Sequence, residues 1–421
     1  MKNSARSTWV LIGIFGLLCG VLVVVGALTE DIDVAGPLAK SASVPASSET
    51  KEDAAELLKQ GKRHYSGEGV PKDLVKAVSF FRRSAELGHP PGQTWLGICY
   101  ANGEGVARDM AKAVEWYRKA AEQGEPFAQC YIGSSFKRGN GVSMDLIEAI
   151  RWFRKSADQG NALAQDELGD CYELGVGVHQ DYAQAFFWYE KAASQGDSFS
   201  MNSLGRCYSQ GWGVVADLKK AADWFKKAAE AGEPFAQSNF GGCLYEGRGV
   251  PKDYASAVEW FLKSDAQGNV MAPLWLGVCY ESGNGVLADM PKAFAYYKSS
   301  AERGYLPGMI QLGRCYANGI GIAKDIPKAI ECYKAAFRRG NYSVNASLAY
   351  HYRYGIGVVK DEIEAYAYLT LAADKFPDAR SELPLLGATL GPEQRTSGQR
   401  RAKEMHSEVE ASKVSKPLGY R

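Results

Sequence analysis

The sequence predicts an all-α fold: an α/α solenoid (superhelix) of nine helical-hairpin repeats, with an apolar helix ahead of the array and capping helices behind it. Two observations carry that prediction. A 36-residue period runs nine times without insertion or deletion, marked by Gly67, Gly103, Gly139, Gly175, Gly211, Gly247, Gly283, Gly319 and Gly355, each followed two residues later by a second Gly. An Asp stands in register after each pair, from Asp73 to Asp361, and an Ala follows four residues further on, from Ala77 to Ala365. Self-similarity of this kind means a stack of one supersecondary unit, each unit burying its apolar face only against its neighbours. Such an array offers a long surface rather than one deep pocket, which weighs against an enzyme.

In chain order, the first element is the apolar run. Residues 1–8 carry Lys2 and Arg6, and Trp9 to Leu28 are then free of charge, a length sufficient to cross a bilayer as a helix. Glu30, Asp31 and Asp33 follow. The positive-inside rule places residues 1–8 in the cytoplasm and the repeats beyond the membrane, so the expectation is a single-pass inner-membrane protein with a periplasmic array. The competing reading is a cleaved signal peptide, with Val25 and Ala27 as its small-residue pattern and a secreted product. Residues 29–52 are rich in Ala, Ser, Pro and Thr without apolar periodicity, as a flexible tether would be.

The repeats occupy residues 53–377. In the copy around residue 100, Trp95, Leu96, Cys99 and Tyr100 have the spacing of a buried helical face. Gly103 ends that helix and Gly105 tightens the loop, since glycine alone takes the left-handed conformation without strain. Asp109 reads as the N-cap of a second helix, from about Met110 to Gln123, stopped by Gly124. Ala113, Trp116, Tyr117, Ala120 and Ala121 form its predicted inner face, the aromatic pair filling the space between units. Residues 378–421 leave the period and read as two cap helices interrupted at Gly391, covering the last exposed hydrophobic surface.

The pattern from Leu96 to Gly124, Leu-Gly-x-Cys-Tyr-x-x-Gly-x-Gly-Val-x-x-Asp-x-x-x-Ala-x-x-Trp-Tyr-x-x-Ala-Ala-x-x-Gly, resembles the Sel-one-like repeat family, a relative of the tetratricopeptide repeats. The resemblance covers roughly residues 56–376. It implies an α/α solenoid that serves as an adaptor or scaffold for other proteins, often at membranes or in the cell envelope, with no common catalytic activity. Some relatives staple each hairpin with a disulfide; this chain has one cysteine per repeat in most copies and does not reproduce that feature.

Composition narrows the function further. With 49 basic and 48 acidic residues the net charge is +1, which gives no basic field for nucleic acid. Six cysteines (Cys99, Cys171, Cys207, Cys243, Cys279 and Cys315) share one column on the inner face of the first helix. Neighbouring repeats stand about 10 Å apart, beyond disulfide reach, so these read as core thiols. Cys315 and Cys332, on the two helices of one hairpin, leave a single pairing open. Five scattered histidines form no metal motif, and the Gly-x-Gly loops never continue into Gly-Lys-Ser/Thr, so neither a metal nor a cofactor is expected.

Binding should reside where the repeats differ. By analogy with related arrays, the inner, concave surface carries the first-helix positions one and four residues after the Leu-Gly glycine. The first column reads Ile98, Ser134, Asp170, Arg206, Gly242, Val278, Arg314, Tyr350; the second reads Ala101, Lys137, Glu173, Ser209, Tyr245, Glu281, Ala317, Arg353. Arg206, Arg314, Tyr350, Arg353 and Tyr354 are the candidate contact residues, because Arg and Tyr concentrate binding energy at interfaces. The expected function is a non-catalytic, membrane-tethered scaffold for a protein or peptide partner, in a bacterial envelope. An envelope binder of peptide or peptidoglycan fragments is the alternative, and a cell-wall or β-lactam hydrolase a remoter one, lacking its motifs.

Overall fold

The computed structural model describes residues 51–414. The expected membrane helix at 9–28 and the tether up to residue 50 lie outside the described residues. Among the described residues no helix is long and apolar enough to cross a membrane.

Eighteen helices form the nine hairpins. They are α1 (Lys51–Ser66), α2 (Leu74–Glu86), α3 (Pro90–Asn102), α4 (Met110–Glu122), α5 (Pro126–Arg138), α6 (Leu146–Asp158), α7 (Ala162–Leu174), α8 (Tyr182–Ser194) and α9 (Ser198–Gln210). The series continues with α10 (Leu218–Glu230), α11 (Pro234–Glu246), α12 (Tyr254–Ala266), α13 (Ala272–Ser282), α14 (Met290–Glu302), α15 (Leu306–Asn318), α16 (Ile326–Arg338), α17 (Asn345–Tyr354) and α18 (Glu362–Ala372). Two further helices, α19 (Pro377–Thr389) and α20 (Pro392–Val414), close the array, parted at Gly391 as the sequence predicts. Leu386, Leu390, Ala402, Met405 and Val409 of this cap are buried in one cluster with Tyr366 and Leu369 of α18.

The loop chemistry follows the sequence closely. Each repeat Asp is an N-cap whose side chain accepts from backbone N–H groups of the first turn, as Asp217 does from Lys220 at 3.0 Å. The first Gly of each later loop closes a first helix in the left-handed region, with φ of 75° at Gly103. The second Gly does more than tighten the turn. A Cβ at Gly105, Gly141, Gly213, Gly249, Gly285 or Gly321 would overlap the carbonyl that opens the second helix of the preceding repeat. The loops of one unit therefore rest directly on the backbone of the last.

Packing inside the hairpin depends on a third glycine. Gly97, Gly133, Gly169, Gly205, Gly241, Gly277 and Gly313 lie beneath the rings of Tyr117, Phe153, Tyr189, Phe225, Phe261, Tyr297 and Tyr333, with no room for a Cβ. In the ninth repeat Ala349 replaces the glycine and Leu369 the ring, a compensated exchange of volume with both residues buried. The aromatic pair is thus split in role, where the sequence had both members filling the space between units. Its second member is buried throughout, while the first is half-buried at Trp116, Trp224 and Trp260 and buried at Trp152 and Trp188, with a lysine across it, as Lys119 stands 4.2 Å from the Trp116 ring. Lys155, Lys227 and Lys263 repeat this contact on Trp152, Trp224 and Trp260.

Polar links then lock unit to unit. Gln123 donates its amide to the Gln93 side chain at 2.8 Å, and Gln93 donates to the Ala85 carbonyl at 3.2 Å. Gln159 and Gln129, Gln195 and Gln165, and Gln267 and Gln237 form the same relay. Ser84, Ser156 and Ser264, buried where other repeats carry Ala, each donate to a first-helix carbonyl at 2.6 Å. All eight described cysteines are free, Cys315 and Cys332 included, so the pairing left open by the sequence does not form. Burial pushes the thiols of Cys99, Cys171, Cys207 and Cys279 up to about 12, which suppresses the reactive thiolate.

Two glycines separate loop strain from close approach. Gly196 and Gly213 both have positive φ, yet a Cβ meets nothing within 4 Å at Gly196 and the Tyr182 carbonyl at Gly213. Gly196→Ala should cost on the order of 1 kcal/mol of backbone strain, and Gly213→Ala clearly more; equal denaturation midpoints would refute the contact. Asp217→Ala should cost roughly 0.5–2 kcal/mol as a lost cap, read as the same midpoint shift.

Candidate partner-binding surface

The two variable columns meet across the joints between repeats. A side chain four residues after the Leu-Gly glycine in one repeat reaches the first helix or loop of the next. Tyr65 donates to Glu104 at 2.7 Å, Lys137 pairs with Glu167 at 2.7 Å, and Asn284 donates to the Tyr245 hydroxyl at 2.9 Å. Glu173 pairs with Arg206 at 2.5 Å, and Glu281 takes both terminal nitrogens of Arg314, one at 2.9 Å. At the end of the array Arg353 pairs with Glu382 of the cap at 3.5 Å.

Three of the five predicted contact residues, Arg206, Arg314 and Arg353, are therefore already engaged. Arg206 also lies 5.3 Å from the Trp212 ring, and its partner Glu173 is buried and accepts from the Tyr189 hydroxyl at 2.9 Å. Arg314 is held by Glu281 and by Gln311 at 2.7 Å, and its hydrogen bonds draw the Glu281 carboxyl below the usual range against the opposing effect of burial. Removing Arg314 would leave a partly buried carboxylate unpaired, so it is not the neutral surface position its column implies.

Tyr350, Arg353 and Tyr354 come together on α17. The two tyrosine rings stand 5.0 Å apart and remain 52% and 55% exposed, with the Arg353 guanidinium 5.3 Å from the Tyr354 ring. Arg206 sits on α9 and Arg314 on α15, so the five residues occupy three separate helices. Only the α17 group combines engagement with open aromatic surface.

Between repeats five and six the columns contribute least. Ser209 and Gly242 stand where other joints carry an acid and a base, and a cleft of about 320 Å³ opens there. Arg206, Ser209, Gln210, Trp212, Asn239 and Arg248 line it, over a floor that includes Phe225 and Cys243. Trp212 and Arg248 escaped the sequence reading because they sit between the two loop glycines, outside both columns. Their signal was the pair of small residues at 209 and 242. A second hollow, of about 430 Å³, lies at the equivalent joint of repeats seven and eight, beside the Glu281–Arg314 pair.

A group of acids borders the middle of the array. Burial, together with Asp170 and Asp197, pushes the Asp166 carboxyl well above its usual range, and burial raises Asp170, Asp197 and Glu233 in the same direction. Ser200 donates to Asp166 at 2.5 Å and Tyr189 to Asp170 at 2.8 Å.

The sequence pattern of the Sel1 repeat matches nine segments: 61–89, 90–125, 126–161, 162–197, 198–233, 234–269, 272–305, 306–341 and 345–375. A Sel1 repeat protein from Oxalobacter formigenes is similar in structure, at 30% identity and a TM-score of 0.53, covering 58% of this chain and 96% of that one. The uropathogenic Escherichia coli protein c5321, described as a protective antigen with an SLR fold, is 29% identical over 87% of this chain and 96% of its own, with a TM-score of 0.47. The immunity protein Pa5087 from Pseudomonas aeruginosa is 21% identical with a TM-score of 0.38, covering 52% of this chain and 82% of that chain. No curated protein matches the sequence.

The two sets of carboxylates give stability an acidic optimum. Asp166, Asp170, Asp197 and Glu233, raised in the fold, contribute stability below their unfolded values near about 4 and lose it as pH rises through the folded ones. Asp109, Asp253 and Asp325, lowered by their backbone and side-chain hydrogen bonds, contribute above the unfolded value and lose it as pH falls through the folded one. Denaturation midpoints should be higher near pH 5.5 than at pH 7.5, and the contribution of the lowered set should fade as pH drops below about 4. Asp166→Asn, which keeps an acceptor for Ser200, should raise the midpoint at pH 7.5 and flatten the neutral limb. A midpoint that climbs steadily to pH 7.5 in the unsubstituted protein would contradict these shifts.

Proposed function

Because the chain belongs to the Sel1 repeat family, with nine repeats across most of its length, we propose that it is a non-catalytic scaffold, tethered to the inner membrane and holding protein partners in the periplasm. The single observation that carries the binding role is the contrast between an invariant frame and variable joints. Gly, Asp and aromatic positions recur in every unit for packing, while the two first-helix columns change chemistry from one repeat to the next. Fixed spacing with changing side chains lets a partner read several units at once, which suits an extended segment lying along the inner, concave face.

The tether rests on the uncharged run from Trp9 to Leu28 between basic and acidic flanks. The open Tyr350 and Tyr354 rings, with Arg353 beside them, are the strongest anchor among the predicted contact residues.

Cross-linking the intact protein in its own cells should trap a defined partner. The double change Tyr350→Ala with Tyr354→Ala should weaken its capture by about 2 kcal/mol or more, the range of a true hot spot, with the melting profile nearly unchanged. A reporter active only outside the cytoplasm, fused after Arg421, should be active on a product that retains residues 1–28. An inactive reporter would reverse the orientation, and a soluble product starting near Leu28 would replace the anchor with a cleaved signal.

A further inference from the structure

Along the second column the bridging residue is small in every third repeat: Ala101, Ser209 and Ala317. At the joint of repeats five and six the facing position is also empty of side chain, being Gly242. A Cβ there would make only ordinary contact with Trp275, at 3.8 Å, so the glycine is not demanded by packing. The cleft of about 320 Å³ lies at this joint.

Two guanidinium groups stand in its polar lining. Arg206 uses one terminal nitrogen on Glu173, and Arg248 uses its Nε on Glu246. Among the described residues no protein acceptor is found for the other nitrogens of either guanidinium. Arg206 is also fixed in place: Glu173 holds one side of it, Tyr189 holds Glu173, and the Trp212 indole carries the guanidinium while itself stacked on Tyr182 at 5.2 Å. Asn239, on the opposite wall, is held by Asn202 at 2.9 Å. A rigid guanidinium, a second one on the rim and an aromatic wall make a receptor for a planar, acceptor-only group.

We propose that the cleft between repeats five and six binds a carboxylate of an extended acidic peptide, borne by a Glu or Asp side chain or by the chain terminus. The ligand carboxylate meets the remaining nitrogens of Arg206 and Arg248 across the space that Ser209 and Gly242 leave. The assignment rests on the scaffold reading above and deepens it by giving the partner segment a chemistry.

The test uses the full-length protein and three fluorescein-labelled hexapeptide probes read by anisotropy. The first, Ala-Ala-Glu-Ala-Ala-Glu amide, offers side-chain carboxylates. The second, with both Glu replaced by Gln and a free C-terminus, offers only the terminal one. The third, with Gln and an amidated end, offers none. The first or second should bind at least tenfold more tightly than the third, and which of them does so identifies the source of the carboxylate. Arg248→Gln, on the exposed rim, should weaken that probe several-fold. The double change Ser209→Glu with Gly242→Arg, which recreates the acid and base of the closed joints, should abolish binding with the melting profile intact. Equal or absent binding of all three probes, or binding unaffected by the double change, overturns the site. Such a failure leaves the scaffold reading to its own cross-linking test, because no native partner enters this measurement.

Discussion

The array depends on a backbone-to-backbone contact: the second loop glycine of repeats two to eight resting on the carbonyl that opens the second helix of the repeat before it. A side chain has rotamers to adjust, but two main chains in van der Waals contact have none, so this touch sets the spacing of units. The loop between the two glycines and the Asp cap must then have one length, and the helices that flank it must deliver the next contact at the same distance. The absence of any insertion or deletion over nine copies follows from that constraint. So does the uniform helix length of thirteen residues through most of the stack.

Upon this frame the joints are closed by side chains of unequal strength. Glutamine relays and buried serines recur in several repeats and satisfy polar groups without carrying charge. The variable columns add ion pairs at three joints and tyrosine contacts at two others. A buried pair such as Glu173 with Arg206 is costly to break from one side, since the remaining charge has nowhere to go. Variation in these columns is consequently divided between holding units together and meeting a partner, and exposure decides which: Tyr350 and Tyr354 stand open, while Arg206 and Arg314 face inward to their acids.

How much of this was legible in the sequence follows from the distance over which each feature is encoded. Caps, helix stops and the loop register are written within half a dozen residues, and Gly103, Asp109 and Gly124 reveal them directly. The link of Gln123 to Gln93 spans 30 residues, and that of Glu173 to Arg206 spans 33, so neither belongs to a local pattern. The period made them findable in principle, because pairing each column with the one offset into the next repeat places Glu173 beside Arg206 and Glu281 beside Arg314. Reading columns singly concealed this, and Arg314 was taken for open surface in consequence. Trp116 and Tyr117 were indistinguishable by spacing alone; the glycine beneath the Tyr117 ring and the lysine over the Trp116 ring separate them.

The return of the same ion pair three repeats apart restricts how such a chain can change in size by losing whole units. Excision of repeat five alone would set the buried Glu173 opposite Gly242, and excision of five and six would set it opposite Val278, stranding the acid either way. Excision of three, from five to seven, sets it opposite Arg314, and the broken joint heals with its original chemistry. The structural module is one hairpin, but the smallest cassette beginning at repeat five that recombination could remove without stranding Glu173 is a triplet.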